Sequence, residues 1–210
     1  MTITPRMPRR DATQNHAALI IAARIELNLD PDASLEAIAA RAGLSRRAVY
    51  GHFATRDELV KQVITLGAER ITAALDGLHH ADPVARLALI ASRLWHEVSE
   101  VRVMAVFATR GALQHHTASA LGPIRRLVQD TIAEGLATGA IVSEIPADLL
   151  ARLVEDAALS ALAQATSHRL PASTANRIVM LHALGTVGLS STAAARLIDD
   201  NPELAWKGSR

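Results

Sequence analysis

The chain has 210 residues, half of them hydrophobic, and a formal net charge of +1. This length allows a sizeable core in one or two domains. Cysteine is absent, which excludes disulfides and thiolate metal sites and is compatible with a cytoplasmic protein. Ala and Leu dominate and β-branched residues do not alternate at period two, so the composition predicts an all-α protein.

Asp11–Leu29 is predicted to be the first helix. Its expected apolar stripe follows helical spacing and comprises Ala18, Ile21, Ala22, Ile25 and Leu29. Pro31 ends this helix, because the α conformation is disfavoured for the residue before a proline. The preceding Met1–Arg10 is basic and has no apolar run long enough for a signal peptide.

Residues 34–59 are predicted to form a helix, a tight turn, a second helix and the start of a third. Ser34 and Ser45 are the expected N-caps, because their hydroxyls can accept a backbone N–H of the first turn. Gly43 stands where a left-handed residue would end the first of these helices. Val49 and Phe53 lie one turn apart and are predicted to face inward.

The opposite face of the second helix carries Arg46, Arg47, Tyr50 and Gly51, with His52 nearby. Guanidinium groups suit guanine edges and phosphates, and hydroxyl and imidazole groups can donate to phosphates. Residues 1–53 hold seven arginines and five acidic residues, and the acids cluster around Asp30–Glu36, which is expected to lie away from this helix. The pattern predicts a helix that reads DNA.

The segment LEAIAARAGLSRRAVYGHFATRDELV closely resembles the DNA-binding segment of the tetracycline-repressor (TetR/AcrR) family of bacterial regulators. The matching positions are Ile38-Ala39, Ala42-Gly43-Leu44-Ser45, Val49-Tyr50-x-His52-Phe53 and Thr55-Arg56-Asp57-x-Leu59. The chain departs from the family at Leu27–Pro31, where members usually carry an aromatic residue and a glycine. An ordinary helical hairpin with a glycine cap is the alternative interpretation.

The resemblance implies a helix-turn-helix DNA-binding domain over residues 1–60 and a ligand-binding and dimerisation domain over 61–210. Arg46, Arg47 and Ala48 are then placed to read bases, while Tyr50, His52 and Arg56 are placed to hold phosphates. The full predicted DNA-binding set is Ser34, Ser45, Arg46, Arg47, Ala48, Tyr50, Gly51, His52 and Arg56. The basic Met1–Arg10 is then either a frayed terminus or an arm along the DNA.

Thr55–Glu58 predicts a capping box that opens a fourth helix, which is expected to run to about Leu78. His79–Pro83 interrupts the pattern; a solvated turn is the preferred interpretation, since a metal site would need further ligands. Amphipathic helices are expected over Pro83–Ser99, Val101–Leu113 and Gly122–Thr138. A ligand cavity implied by the resemblance would be walled by Trp95, His96, Met104, Phe107, Arg110, Gln114 and His116, although simple core packing is the preferred interpretation for any single one of them.

The last two long helices are expected at Pro146–Leu170 and Ser173–Ser190, and both are rich in Ala and Gly. In the family such a pair forms a four-helix bundle across a two-fold axis, so the resemblance implies a homodimer. Ile178–Ala195 carries no formal charge and is long enough for a membrane span. His182 and two glycines lower its hydrophobicity, so a buried helix is preferred and no membrane partner is expected.

The sequence contains no phosphate-binding glycine loop, no His-Glu-x-x-His and no Gly-x-Ser-x-Gly, so we expect neither an enzyme nor a bound cofactor or metal. The expected protein is a cytoplasmic homodimeric repressor that binds a palindromic double-stranded operator until a small-molecule effector enters its C-terminal domain. Two alternatives stay open: a helical ligand-binding or scaffold protein with little DNA affinity, and an all-α enzyme that uses the C-terminal cavity.

Overall fold

The structure is a computed structural model that describes residues 8–206; within this range it forms eleven α-helices and no β-strand, which confirms the predicted all-α fold. The helices are α1 (Pro8–Leu29), α2 (Leu35–Arg41), α3 (Arg46–Tyr50), α4 (Arg56–Leu75), α5 (Pro83–Val98), α6 (Arg102–Ala108), α7 (Gln114–Ala120), α8 (Gly122–Thr138), α9 (Ala147–Ser167), α10 (Ala172–Thr186) and α11 (Ser191–Asp200). Most of the basic segment Met1–Arg10 lies outside the described residues.

The chain divides into two compact units. The first comprises the described residues up to Gly67 together with Val103–Thr117. The second comprises Ala68–Arg102 and the described residues from Ala118 onward. The division predicted from the sequence, at residue 60, differs from this one chiefly because α6 and the start of α7 belong to the first unit.

The core of the first unit is built from α1 to α4. Leu19, Leu27, Ile38, Val49 and Phe53 are at most 1% exposed. Leu19 and Leu27 belong to α1, Ile38 to α2 and Val49 to α3, and Phe53 lies three residues after the end of α3. Burial of these five large side chains, rather than the intrinsic preference of such short helices, stabilises α2 and α3, because helices of five to seven residues are marginal alone.

The apolar stripe predicted for α1 was wrong for three of its five residues. Ile21, Ile25 and Leu29 are 60%, 44% and 69% exposed, whereas Ala22 is buried as predicted. The buried face runs through Leu19, Ala22, Ala23 and Leu27. Both sets repeat at helical spacing because α1 is apolar on more than one side, so periodicity alone could not select the face that packs inward.

The second unit is a bundle in which α10 packs against α5 and α9, and α8 packs against the same two helices. Asp82 caps α5 by accepting the Val84 N–H, and Pro83 occupies its first turn. The buried face of α5 includes Leu87, Ile90 and Trp95. The bundle therefore encloses α5 on most of its circumference.

Two predicted helices are each divided in the structure. The expected helix Val101–Leu113 ends as α6 at Ala108, and the chain turns at Gly111, whose φ is +58°. The uncharged stretch Ile178–Ala195 belongs to α10 and α11, which are separated by Gly188 at φ +96° and by the Ser190 cap. Among the described helices, none combines the length and the hydropathy needed to cross a bilayer.

Candidate nucleic-acid interface and ligand cavity

The two serine caps form as predicted. The Ser34 hydroxyl accepts the Ala37 N–H at 3.1 Å and opens α2. The Ser45 hydroxyl accepts the Ala48 N–H at 3.2 Å and opens α3. Between the two helices Gly43 has φ +69°, a conformation in which a side chain would be strained. The helix-turn-helix is therefore defined by local signals at three positions.

Helix α3 presents its cationic side to solvent. Arg46 and Arg47 are exposed, and Tyr50 is 45% exposed. Val49, on the opposite side of α3, is fully buried, as is Phe53 just beyond it. Gly51 follows α3 as its C-cap and is exposed, and Ala48 is half-buried. These side chains have the exposure that contact with a DNA groove requires.

An acidic side chain lies on this same surface, contrary to the sequence-based expectation. Glu36, on α2, accepts a hydrogen bond from the Tyr50 hydroxyl at 3.0 Å and forms an ion pair with Arg46 Nε at 3.2 Å. Its own backbone N–H, the Tyr50 hydroxyl and the charge of Arg46 hold the pKa of Glu36 below the usual 4.5. Glu36 is therefore ionised at neutral pH and engages two of the predicted DNA-contacting residues.

Arg56 was predicted to hold a phosphate, and in the structure its guanidinium donates hydrogen bonds to two backbone carbonyls. Arg56 Nε donates to the Ala33 carbonyl at 2.8 Å, and its Nη2 donates to the Pro31 carbonyl. The adjoining capping box forms, with Thr55 Oγ1 accepting the Glu58 N–H at 3.2 Å. Arg56 therefore joins the start of α4 to the loop between α1 and α2.

His52 is half-buried beside α1. Its ring centroid lies 5.8 Å from that of His16, which in turn stacks on Phe53 at 5.0 Å. The Gln62 side chain lies 3.0 Å from His16 Nε2. His52 therefore contacts His16 of α1 and remains partly exposed to solvent.

The second unit contains a cavity of about 150 Å³. It is partly open and is lined by α5, α8, α9 and α10, together with Ile71 from the end of α4. Its walls are mostly aliphatic and include Leu87, Ile90, Val128 and Val179.

One charged pair interrupts the apolar wall. Arg125 and Glu155 form a bidentate pair, with Nε and Nη2 of the arginine 2.7 and 2.6 Å from the two carboxylate oxygens. Hydrogen bonding to Glu155 raises the pKa of Arg125. Trp95 is 1% exposed, and its Nε1–H has no acceptor among the described residues.

The structure changes the set of cavity residues expected from the sequence. Trp95 lines the cavity, and His96 packs on Trp206 with ring centroids 4.8 Å apart. The remaining predicted wall residues belong to the first unit and do not line this cavity: Met104, Phe107, Arg110, Gln114 and His116. Met104 is a buried core residue, and His116 Nε2 lies 3.0 Å from the Lys61 carbonyl.

Sequence reasoning missed most of the true lining. Arg125, Glu155 and the alanines of α9 lie on the cavity, yet they give no sequence signal beyond ordinary amphipathic spacing. Over residues 8–206 no group of three or more His, Asp or Glu side chains is arranged to hold a metal ion.

These features define a class of protein: an all-α helix-turn-helix protein with a cavity in a separate helical unit. Residues 31–63 match the family model described as bacterial regulatory proteins, tetR family. This match confirms the resemblance recognised in the sequence for residues 31–63. No protein of curated function matches the chain by sequence.

The fold is shared with several solved structures. RolR in complex with resorcinol is 23% identical with a TM-score of 0.66, over 93% of this chain and 99% of that one. SmeT, the repressor of the multidrug efflux pump SmeDEF of Stenotrophomonas maltophilia, is 19% identical with a TM-score of 0.64, over 82% and 88%. FadR from Bacillus subtilis in complex with stearoyl-CoA is 14% identical with a TM-score of 0.66, over 80% and 97%.

Proposed function

We propose that this protein is a ligand-responsive transcriptional repressor that binds a palindromic DNA operator as a homodimer and leaves it when a small molecule enters the cavity of the second unit. The observation that carries the proposal is the capped helix-turn-helix with Arg46 and Arg47 exposed on α3, within the segment that matches the tetR family model. A fold held in common with solved regulators agrees with this proposal.

The DNA-binding part assigns separate roles to the residues of α3. In the proposed complex Arg46, Arg47 and Ala48 face base edges, and Tyr50 and His52 face phosphates. Ser34, Ser45 and Gly51 bring backbone groups of the helix ends near the DNA. We assign Arg56 a smaller part than the sequence suggested, since its guanidinium already donates to two backbone carbonyls.

The dimer is proposed because one helix-turn-helix covers only a half-site. Helices α9 and α10 pack side by side and offer small residues such as Ala157, Ser160 and Gly185 at their less buried positions. Small residues permit the close approach of a second helix pair. In such a dimer the two α3 helices would be separated by about one helical turn of DNA, or roughly 34 Å.

The ligand-binding part is supported by the cavity. Its volume of about 150 Å³ suits a molecule of one ring and is much too small for a stearoyl-CoA. Among the similar structures this size agrees better with the resorcinol complex of RolR than with the stearoyl-CoA complex of FadR. A small ring compound is therefore the proposed effector.

The test is fluorescence anisotropy of labelled DNA from upstream of the protein's own gene, measured over a salt series. We expect tight binding to one fragment and a steep loss of affinity as salt rises, because phosphate contacts release counterions. Equal, weak binding to every fragment, including the regions beside neighbouring genes, would refute the operator-binding proposal and favour a helical ligand-binding protein.

Two variants separate the roles within α3. Arg47→Ala is expected to relax the preference at one base position by roughly 1–3 kcal/mol. Tyr50→Ala should weaken binding to all sequences about equally, and unchanged affinity would contradict its phosphate role. Arg196→Ala is the matched control, since this exposed arginine lies on α11 of the second unit and should leave both properties unchanged.

A further inference from the structure

We propose that Glu36 and Arg46 together read one C·G base pair of the operator, the carboxylate accepting from the cytosine amino group and the guanidinium donating to the guanine edge. The proposal rests on the proposed function, because it names part of the DNA sequence that the protein would select. It follows from the arrangement of three side chains on the surface of the helix-turn-helix: Glu36, Arg46 and Tyr50.

The three side chains form a closed cluster. Oε1 of Glu36 accepts from the Tyr50 hydroxyl at 3.0 Å and lies 3.2 Å from Arg46 Nε. The guanidinium carbon of Arg46 lies 5.6 Å from the centroid of the Tyr50 ring, which is within the range of a cation–π contact. Each side chain therefore restricts the other two, and such preorganisation lowers the entropy lost on binding.

The cluster keeps hydrogen-bonding groups for a ligand. The hydrogen bond and the ion pair of Glu36 both use Oε1, and its Oε2 has no hydrogen-bond partner among the described residues. Arg46 pairs through Nε, and its terminal nitrogens Nη1 and Nη2 donate to none of the described residues. An acceptor and a set of donors therefore remain side by side.

Both groups are accessible to a partner molecule. The side chain of Arg46 is 75% exposed and that of Glu36 is 42% exposed. The buried Val49 lies on the opposite side of α3 and holds this helix against the core. DNA that meets the exposed side of α3 can therefore reach Glu36 as well as the arginines, although Glu36 belongs to α2.

The remaining acceptor and donors match the major-groove edge of one base pair. Cytosine presents an amino donor in this groove, and its partner guanine presents the acceptors O6 and N7. Adenine also presents an amino group, but its N7 acceptor lies beside it and would repel a carboxylate. Guanine and thymine offer a carboxylate only acceptors. Glu36 therefore favours cytosine over the other three bases, while Arg46 recognises the guanine opposite.

The first test is the base preference of the full chain. A site is selected from a pool of random-sequence duplexes, and every single base-pair change of one half-site is then measured by fluorescence anisotropy. We expect one C·G position at which wild type loses about tenfold in affinity on substitution. Glu36→Gln should lose most of this preference, because an amide accepts from cytosine and also donates to guanine or thymine. Glu69→Gln, the same charge change at an exposed position of α4, should keep it.

A second test separates a base contact from mere positioning of Arg46. The cytosine is replaced by 2-pyrimidinone, which lacks only the amino group and leaves the guanine edge unchanged. Wild type should lose about tenfold more affinity on this duplex than Glu36→Ala does, because the variant has no acceptor for the amino group. If Glu36 only positioned Arg46, both proteins would lose the same amount.

Equal losses of wild type and Glu36→Ala on the 2-pyrimidinone duplex would overturn the shared reading, and so would an unchanged base preference in Glu36→Gln. Either result leaves a protein that binds a specific site, so the proposed function would stand. If the random pool yields no enriched sequence, the proposed function is refuted and the assigned base pair with it. Circular dichroism of the variants verifies that they are folded, as expected for a side chain at the surface.

Discussion

Glu36 is predicted to reduce the affinity of the helix-turn-helix for DNA. Its carboxylate accepts a hydrogen bond from Tyr50 and pairs with Arg46, so two proposed DNA-contacting groups are held by an anion of the same chain. Because the pKa of Glu36 lies below its usual 4.5, the interaction is present at neutral pH. A DNA phosphate must compete with Glu36 for both partners, and Glu36→Gln removes the competing charge.

The expected magnitude follows from the counterion released by one more phosphate contact. Arg46 is 75% exposed at its side chain, so it can reach a phosphate once Glu36 is neutral. Each neutralised phosphate contributes about −0.9 to the slope of log affinity against log salt, which corresponds to about fivefold in affinity near 0.15 M salt. We expect Glu36→Gln to bind DNA about fivefold more tightly per protomer and to show a correspondingly steeper slope.

The assay is anisotropy with operator and scrambled DNA at several salt concentrations. Glu69→Gln is the matched control, because it makes the same change of net charge at an exposed position of α4 in the second unit. The reasoning would be refuted if Glu36→Gln bound no more tightly than Glu69→Gln. A loss of affinity would instead show that Glu36 orients Tyr50 and Arg46 for the DNA.

The remaining predictions concern stability. A Cβ at Gly135 would lie 2.6 Å from Cδ1 of the buried Ile141, so Gly135→Ala should lower the free energy of unfolding by about 1–2 kcal/mol. A Cβ at Gly67, in α4, would have no atom within 4 Å. Gly67→Ala should therefore raise the free energy of unfolding by up to about 1 kcal/mol. Urea unfolding followed by circular dichroism compares them, and equal effects would contradict the predicted overlap. Hydrogen bonds from Arg177 hold the pKa of Asp199 below 3.8; the stability lost in Asp199→Asn should be seen at neutral pH and disappear as the pH falls through that lowered pKa. A difference that grows in acid would contradict this sign.

The helix-turn-helix could be predicted from the sequence because its signals are local. A serine cap depends on residues three positions away, and Gly43 marks its turn by its own conformational freedom. The burial of Val49 and Phe53 follows from a spacing of one helical turn. Each of these features is decided within a short segment, so the segment carries enough information to predict it.

The cavity could not be predicted in the same way, because its lining depends on which helix faces meet. Phe107 and Gln114 follow Trp95 in the sequence, yet both belong to the first unit, whereas the cavity lies in the second. Arg125 and Glu155 come from two helices 30 positions apart and meet only in the folded bundle. Amphipathic spacing identifies a buried face without specifying its partner.

Arg56 illustrates how a residue at a family position can take on a structural role in the free protein. Pro31 cannot donate a backbone hydrogen bond and ends α1, which leaves carbonyls in the loop before α2 that need donors. The guanidinium of Arg56 supplies two of its N–H groups, to the carbonyls of Pro31 and Ala33, directly before the Ser34 cap. An ammonium is a compact donor group without this planar fork, so it would not match the same pair of carbonyls. The hydrogen bonds from Arg56 to this loop therefore account for an arginine at this position in the free protein.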